Sequence, residues 1–194
     1  VLVSPSKLGS HAQSFDATKD QYIRVGNQTN FDLTSYLTIE GWVRFTSFNP
    51  WGSGDPALLT KRNAYRLGAS TSSHRPRGMV YMPGSGEHNI DGVTALSANT
   101  WYHLAQTFNG KYQRLYLDGA LVQIAMTVGS TLNKSASPVE IGSFGLNSAH
   151  MHGTLDEIRV SKTVRPGTYL STQHKMMSGN ASWWTVISAQ ESCP

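Results

Sequence analysis

The sequence predicts an all-β protein, a two-sheet antiparallel β-sandwich, and three observations carry that reading. The chain has 194 residues, a length that a single large sandwich core can fill. Its 18 glycines and many Ser/Thr/Asn clusters cut it into short segments, and no stretch holds a helical period beyond a few residues. The run from Thr100 to Val122, TWYHLAQTFNGKYQRLYLDGALV, spells two hairpins in succession.

The first strand of that run, Trp101 to Phe108, alternates Tyr102, Leu104, Gln106 and Phe108 against Trp101, His103, Ala105 and Thr107. Asn109-Gly110 then turns the chain: Gly110 takes a positive φ freely, and Asn109 tolerates one better than most residues. The return strand, Tyr112 to Leu117, must therefore be antiparallel. Asp118-Gly119 repeats the turn into a third strand, Ala120 to Ala125. A slip of one residue would exchange buried and exposed sides, so the two turns fix the faces of the meander.

These residues resemble the laminin-G-like domains of the concanavalin A-like lectin/glucanase superfamily, and the resemblance covers nearly the whole chain. His11 to Val25, HAQSFDATKDQYIRV, is similar to that family's opening strand and turn, with Ala17 where glycine is common. Leu37 to Phe45, LTIEGWVRF, is similar to its F-T-I-E-A-W-V strand, and Ala57 to Gly68, ALLTKRNAYRLG, to its I-x-S-K-x-x-x-Y-x-L hairpin. Val139 to Arg165 is similar to its closing strands, and Ser171 to Ser192 to a short C-terminal extension. The resemblance implies a jelly roll with a core over about residues 11–165 and an extension, 166–194, packed on it as one domain. Helix is confined to a turn near Arg165 to His174. Trp42, Trp101, Tyr22, Tyr116, Phe108 and Phe45 read as core or near-core, His103 as structural, and one of Trp183 and Trp184 as a seal on the sandwich edge.

No run of apolar residues approaches the roughly 20 that cross a bilayer as a helix. The net charge of +4 favours acidic partners, yet the basic residues are scattered and not interleaved with aromatics, which argues against a nucleic-acid platform. Cys193 stands alone, so no disulfide forms within the domain. Sequons at Asn27, Asn133 and Asn180 are compatible with an exported protein, and we expect an extracellular or cell-surface domain of a larger secreted protein.

For catalysis, a retaining glycosidase needs two carboxyl groups about 5 Å apart, which a strand delivers with acidic residues spaced along one face. No such array occurs: Asp156 and Glu157 are adjacent and should point to opposite faces, and no G-x-S-x-G elbow is present. The chain therefore reads as a non-catalytic binding module for a polysaccharide or glycan, neutral or acidic. A protein-interaction, adhesion or structural module is the alternative. In relatives a structural calcium ion often clips the first strand to the last, and the resemblance places Asp16 and Asp156 there, with Asp20 as a further ligand. The alternative for Asp16 and Asp20 is capping of a turn. For sugar we expect Trp51, in the Pro/Gly-rich TSFNPWGSGDPA, together with His74, Arg75 and Arg77, Tyr81 and His88, and His150 and His152 of SAHMHG. These require four loops to gather at one rim or over a concave sheet.

Overall fold

The structure, a computed structural model, describes residues 1–3, 6–51, 54–127, 129–144 and 149–179, with no account of the side chains of 49–51. Trp183, Trp184, Cys193 and the Asn180 sequon lie outside the described residues. Two antiparallel sheets face each other. The larger has seven strands in the order β1 (Leu2–Val3), β2 (Ala12–Phe15), β13 (His150–Ser161), β4 (Leu37–Trp51), β9 (Trp101–Phe108), β10 (Tyr112–Leu117) and β11 (Ala120–Met126). The smaller has six, in the order β3 (Ile23–Val25), β12 (Val139–Ile141), β5 (Ala57–Lys61), β6 (Tyr65–Ala69), β7 (Pro76–Met82) and β8 (Gly86–Asp91).

One apolar cluster joins the inner faces, with Ile39, Val43, Phe45, Leu104, Phe108 and Leu115 from the larger sheet against Leu59, Tyr65, Leu67, Val80, Met82 and Ile90. The predicted faces of β9 hold: Leu104 and Phe108 point inward, and Gln106 follows them, its Nε2 donating to the Met79 carbonyl at 3.1 Å. The buried amide is thus half satisfied, since Gln106 Oε1 has no hydrogen-bond partner among the described residues.

The second hairpin turn is as expected, with Asp118 at φ 51° and Gly119 at φ 77°. The first differs. Gln113 pairs with Phe108, so the loop spans four residues, and only Gly110 is left-handed. Asn109 works through its side chain instead, its Oδ1 accepting from the amides of Lys111 (3.1 Å) and Tyr112 (2.7 Å). Likewise the alternation of Asp156 and Glu157 is broken, since Glu157 sits at φ 53° where the β13–β4 register shifts.

The expected helical turn is a full helix, α1 (Gly167–Met177), and it covers the outer face of the seven-stranded sheet. Leu170 is buried there against Ala105 and Tyr116, and His174 stacks on Trp42 with centroids 5.3 Å apart. Trp42 is thus buried in this outer layer rather than in the sandwich core, with Lys7 Nζ 4.3 Å from its ring centroid on the same side. Beneath α1, Glu40 and His103 form a carboxylate–imidazole pair at 3.3 Å, both side chains buried. It has the residue types of an acid–base dyad, but it is sealed. Trp101 and Tyr22 are only partly buried. No helix among the described residues is long and apolar enough to cross a membrane.

Candidate carbohydrate-binding face

With α1 and residues 6–8 lying on the larger sheet, the smaller sheet has the outer face that no helix among the described residues covers; at its middle Thr60, Arg66, Met79 and Glu140 are buried, while Arg24 and Asn89 towards its edges are exposed. Register places one row across all six of its strands: Arg24, Glu140, Thr60, Arg66, Met79 and Asn89. These are the residues out of phase with the inward Leu59, Tyr65, Leu67 and Val80, so alternation puts them outside. A neighbouring row contributes Arg77 and Asp91.

Arg66 is the centre of this face. Its guanidinium lies under the Phe144 ring at 4.3 Å from the centroid, and it is only 3% exposed. Its carboxylate neighbours are loose, Asp55 Oδ2 at 3.6 Å and Glu87 Oε1 at 3.8 Å, with Asn89 Oδ1 at 3.5 Å. Burial accordingly pulls its pKa down against the pull of Asp55 and Glu87, though a guanidinium remains charged at any physiological pH. Beside it Arg77 is held in a fork, Nε and Nη2 donating to the two oxygens of Asp91 at 2.6 Å each and Nη1 to Asp55 Oδ2 at 2.8 Å. Those bonds raise the Arg77 pKa further. Burial alone would raise the Asp55 carboxyl, but the Thr71 amide, at 2.9 Å, and Arg77 outweigh it and hold it below the usual carboxylate range.

Next to the Arg66–Phe144 stack is an open hollow of about 170 Å³ lined by Thr60, Arg62, Asn63, Met79, Glu87 and Phe144. Its chemistry suits a sugar: an aromatic ring and a thioether for the C–H face of a pyranose, and planar amide, carboxylate and guanidinium groups for its hydroxyls. Phe144 and Arg66 are absent from the sequence expectation. Phe144 stands between glycines in an irregular segment of sequence GSFGL, and meets the same criterion that singles out Trp51, a bulky ring in a loop without strand period.

The expected site residues divide between the two ends of the sandwich. At one end residues 46–51 and 54–56, the β6–β7 turn and the start of β13 do converge. Trp51 pairs through its backbone with His150, His74 stacks on Phe48 at 4.5 Å, and the Thr71 hydroxyl donates to the Gly54 carbonyl at 2.8 Å. Arg75 is exposed in that turn, and His152 pairs with Ser47. His150 is buried, its Nε2 3.5 Å from Asp20 Oδ1. Tyr81 and His88 correct the expectation: the Tyr81 amide donates to Ala64 in the β5–β6 turn, and the His88 ring bonds Ser85 in the β7–β8 turn, both at the opposite end. Arg77 also departs from it, because its donors are already engaged by Asp55 and Asp91.

The three calcium candidates do not fit one ion. Phe15 pairs with Gly153 and Gln13 with Leu155, so Asp16 and Asp156 stand four residues apart along the ladder, about 13 Å. Asp16 caps a short 3-10 helix (Ala17–Lys19), its Oδ1 accepting from the Thr18 amide at 3.0 Å and hydroxyl at 2.7 Å. These bonds hold its carboxyl below the usual range. Asp156 Oδ2 accepts from the amides of Lys7 (3.0 Å) and Leu8 (2.9 Å), tying the N-terminal segment to β13. Asp20 ends the short helix with its side chain 67% exposed. Among the described residues no group of three or more His, Cys, Asp or Glu is placed to hold a metal ion.

No curated protein matches the chain by sequence. Solved structures that share its fold at low identity include the following three. The binding domain of Paraclostridial Mosquitocidal Protein 1 superposes with a TM-score of 0.72 at 14% identity, over 91% of this chain and 45% of that one. Domain 4 of AbnA, a GH43 extracellular arabinanase from Geobacillus stearothermophilus solved with arabinotriose, gives 0.67 at 12%, over 89% and 80%. A Bacteroides ovatus ATCC 8483 protein described as carbohydrate-binding gives 0.67 at 18%, over 82% and 45%. The chain thus spans less than half the length of two of the three. The Laminin_G_3 profile matches residues 16–168, and the chain belongs to that family of the concanavalin A-like lectin/glucanase superfamily.

Proposed function

We propose that this domain is a non-catalytic carbohydrate-binding module that holds a glycan against the outer face of its six-stranded sheet, outside the cell. The observation that carries the reading is the Arg66–Phe144 stack set among Thr60, Met79, Glu87 and Asn89 beside an open hollow. A shallow face of this kind suits a chain of sugars rather than an enclosed small molecule. The arabinanase domain solved with arabinotriose has the same fold, which supports the reading by analogy of architecture alone.

Two of the three carboxylates around the stack, Asp55 and Asp91, speak against hydrolysis. A glycosidase acid must hold its proton near neutral pH, which requires a raised pKa. Asp55 is shifted the other way, and Asp91 accepts both bonds of the Arg77 fork. The Glu40–His103 pair is closed off by α1. A glycan array probed with the wild-type domain, with and without calcium, and with Phe144→Ala and Arg66→Lys tests the proposal. Both variants should lose most binding, Arg66→Lys because an ammonium cannot replace the planar stack. Undiminished binding by both would sink it.

A second reading, a protein-interaction module, is favoured by one feature. The edge strand β11 exposes Leu121, Ile124 and Met126, the last 68% exposed, and an apolar edge is a template for a partner strand.

A further inference from the structure

We propose that the hollow between residues 29–36 and the end of β13 is a second saccharide subsite, one that takes a sugar bearing an acidic group. The inference deepens the carbohydrate-binding reading and rests on it. The hollow measures about 600 Å³, within the range of small-ligand sites, and shares no lining residue with the one beside Phe144.

Its wall is held rigidly from below. The Tyr65 hydroxyl donates to the Phe31 carbonyl at 2.9 Å, and the Leu132 amide donates to the Thr34 carbonyl at 2.7 Å. Leu33 is buried in the core. Lys61, fully buried, donates to Asn27 Oδ1 at 2.9 Å and to the Ser137 carbonyl at 3.0 Å, with Asp32 Oδ1 3.4 Å away. Pinned in this way, the segment turns Thr29, Asn30, Ser35 and Tyr36 toward water, Tyr36 being 54% exposed beside the fully buried Leu37. An exposed phenol ring flanked by hydroxyls and an amide on a stiff backbone supplies both a stacking surface and fixed hydrogen-bonding groups, with little ordering entropy left to lose.

Charge sets the preference. The carboxylate in the lining, Asp32, is offset by buried Lys61, whereas the ammonium of Lys162 has no ion-pair partner among the described residues. The wall is therefore net positive, and a carboxylate or sulfate on the sugar completes it.

The test is an amide-shift NMR titration of the whole chain with two matched pairs, sialyllactose against lactose and glucuronate against glucose. An acidic member should move the amides of Asn30, Ser35, Tyr36 and Lys162 more strongly than its neutral partner. Lys162→Gln should weaken that response about fivefold, as loss of one screened ion pair does. Tyr36→Ala should abolish it while leaving any shifts at Thr60 and Met79 intact. Shifts confined to Thr60, Met79 and Phe144 would overturn this subsite and leave the carbohydrate reading standing. Equal response to the members of each pair would overturn the acidic preference. No response at either place would remove both.

Discussion

Asp55 joins the candidate face to the loops at its rim, and its removal is the most informative perturbation. Its carboxylate accepts from the Thr71 amide at 2.9 Å and from Arg77 at 2.8 Å, and it is the nearer of the two carboxylates beside Arg66, with its side chain 17% exposed. Asp55→Asn keeps an acceptor oxygen for Thr71 and removes the charge; Asp55→Ala removes both. Hydrogen bonds to charged groups contribute about 1.5–3 kcal/mol each where partly buried, and Arg77 retains its fork on Asp91. We expect a loss of about 2 kcal/mol for Asn and about 3–4 kcal/mol for Ala, because the latter also leaves the buried Arg66 with Glu87, at 3.8 Å, as its one carboxylate neighbour within 4 Å among the described residues. For a chain of this size 1 kcal/mol moves Tm by roughly 2–4 °C, so Ala should melt roughly 6–16 °C early.

The pH dependence of that loss has a definite sign. The folded carboxyl is held below its unfolded value of about 3.9, so its stabilisation is complete above that pH and disappears as pH falls through the lower folded value. Melting curves from pH 7 to pH 2 should show wild type and Asp55→Asn a constant interval apart above about pH 5 and converging in acid. An Asp55→Ala variant melting within 1 °C of wild type, or a gap that widens in acid, would refute the reasoning.

Two further outcomes follow from the outer layer and one from the calcium candidates. Leu170→Ala, at the fully buried contact of α1 with Ala105 and Tyr116, should cost about 2–5 kcal/mol in denaturant titration. Burial lowers the His174 pKa beneath α1, so the neutral ring is the form that packs on Trp42. Its contribution should be complete above the unfolded value of about 6.5 and fade as pH falls below it, and protection of the α1 amides from hydrogen exchange should fall over that interval in wild type but not in His174→Gln. Excess EGTA should leave Tm unchanged in calorimetry; a fall of several degrees would reinstate a calcium ion despite the separation of Asp16 and Asp156.

What was legible in the sequence is what local rules decide. The faces of β9 follow from alternation, and the turn at Asp118-Gly119 follows from the need for two positive φ angles. Asn109 shows the limit of such rules, since a side-chain acceptor and a left-handed backbone are two uses of one residue type and the sequence does not choose between them. Loop placement was harder. Whether the 70–75 turn and the 83–85 turn share an end depends on counting strand reversals across β7, and β7 carries Arg77 to one rim and Tyr81 to the other. Arg77 read as a free cation because nothing local announces Asp55, 22 residues away, as its partner.

The same pairing revises where the basic character of the chain can act. At the stack, Arg66 and Arg77 are met by Asp55, Glu87 and Asp91, so that part of the face carries no excess positive charge. A ligand there would be chosen by the geometry of its hydroxyls against a ring and fixed planar groups, with little dependence on salt. The 29–36 hollow is the opposite case, because its carboxylate is neutralised from beneath and its lysine is not. Selection of an acidic sugar there should weaken as ionic strength rises. A salt series that lowers affinity equally at both places would mean that net charge, rather than these two local arrangements, governs binding.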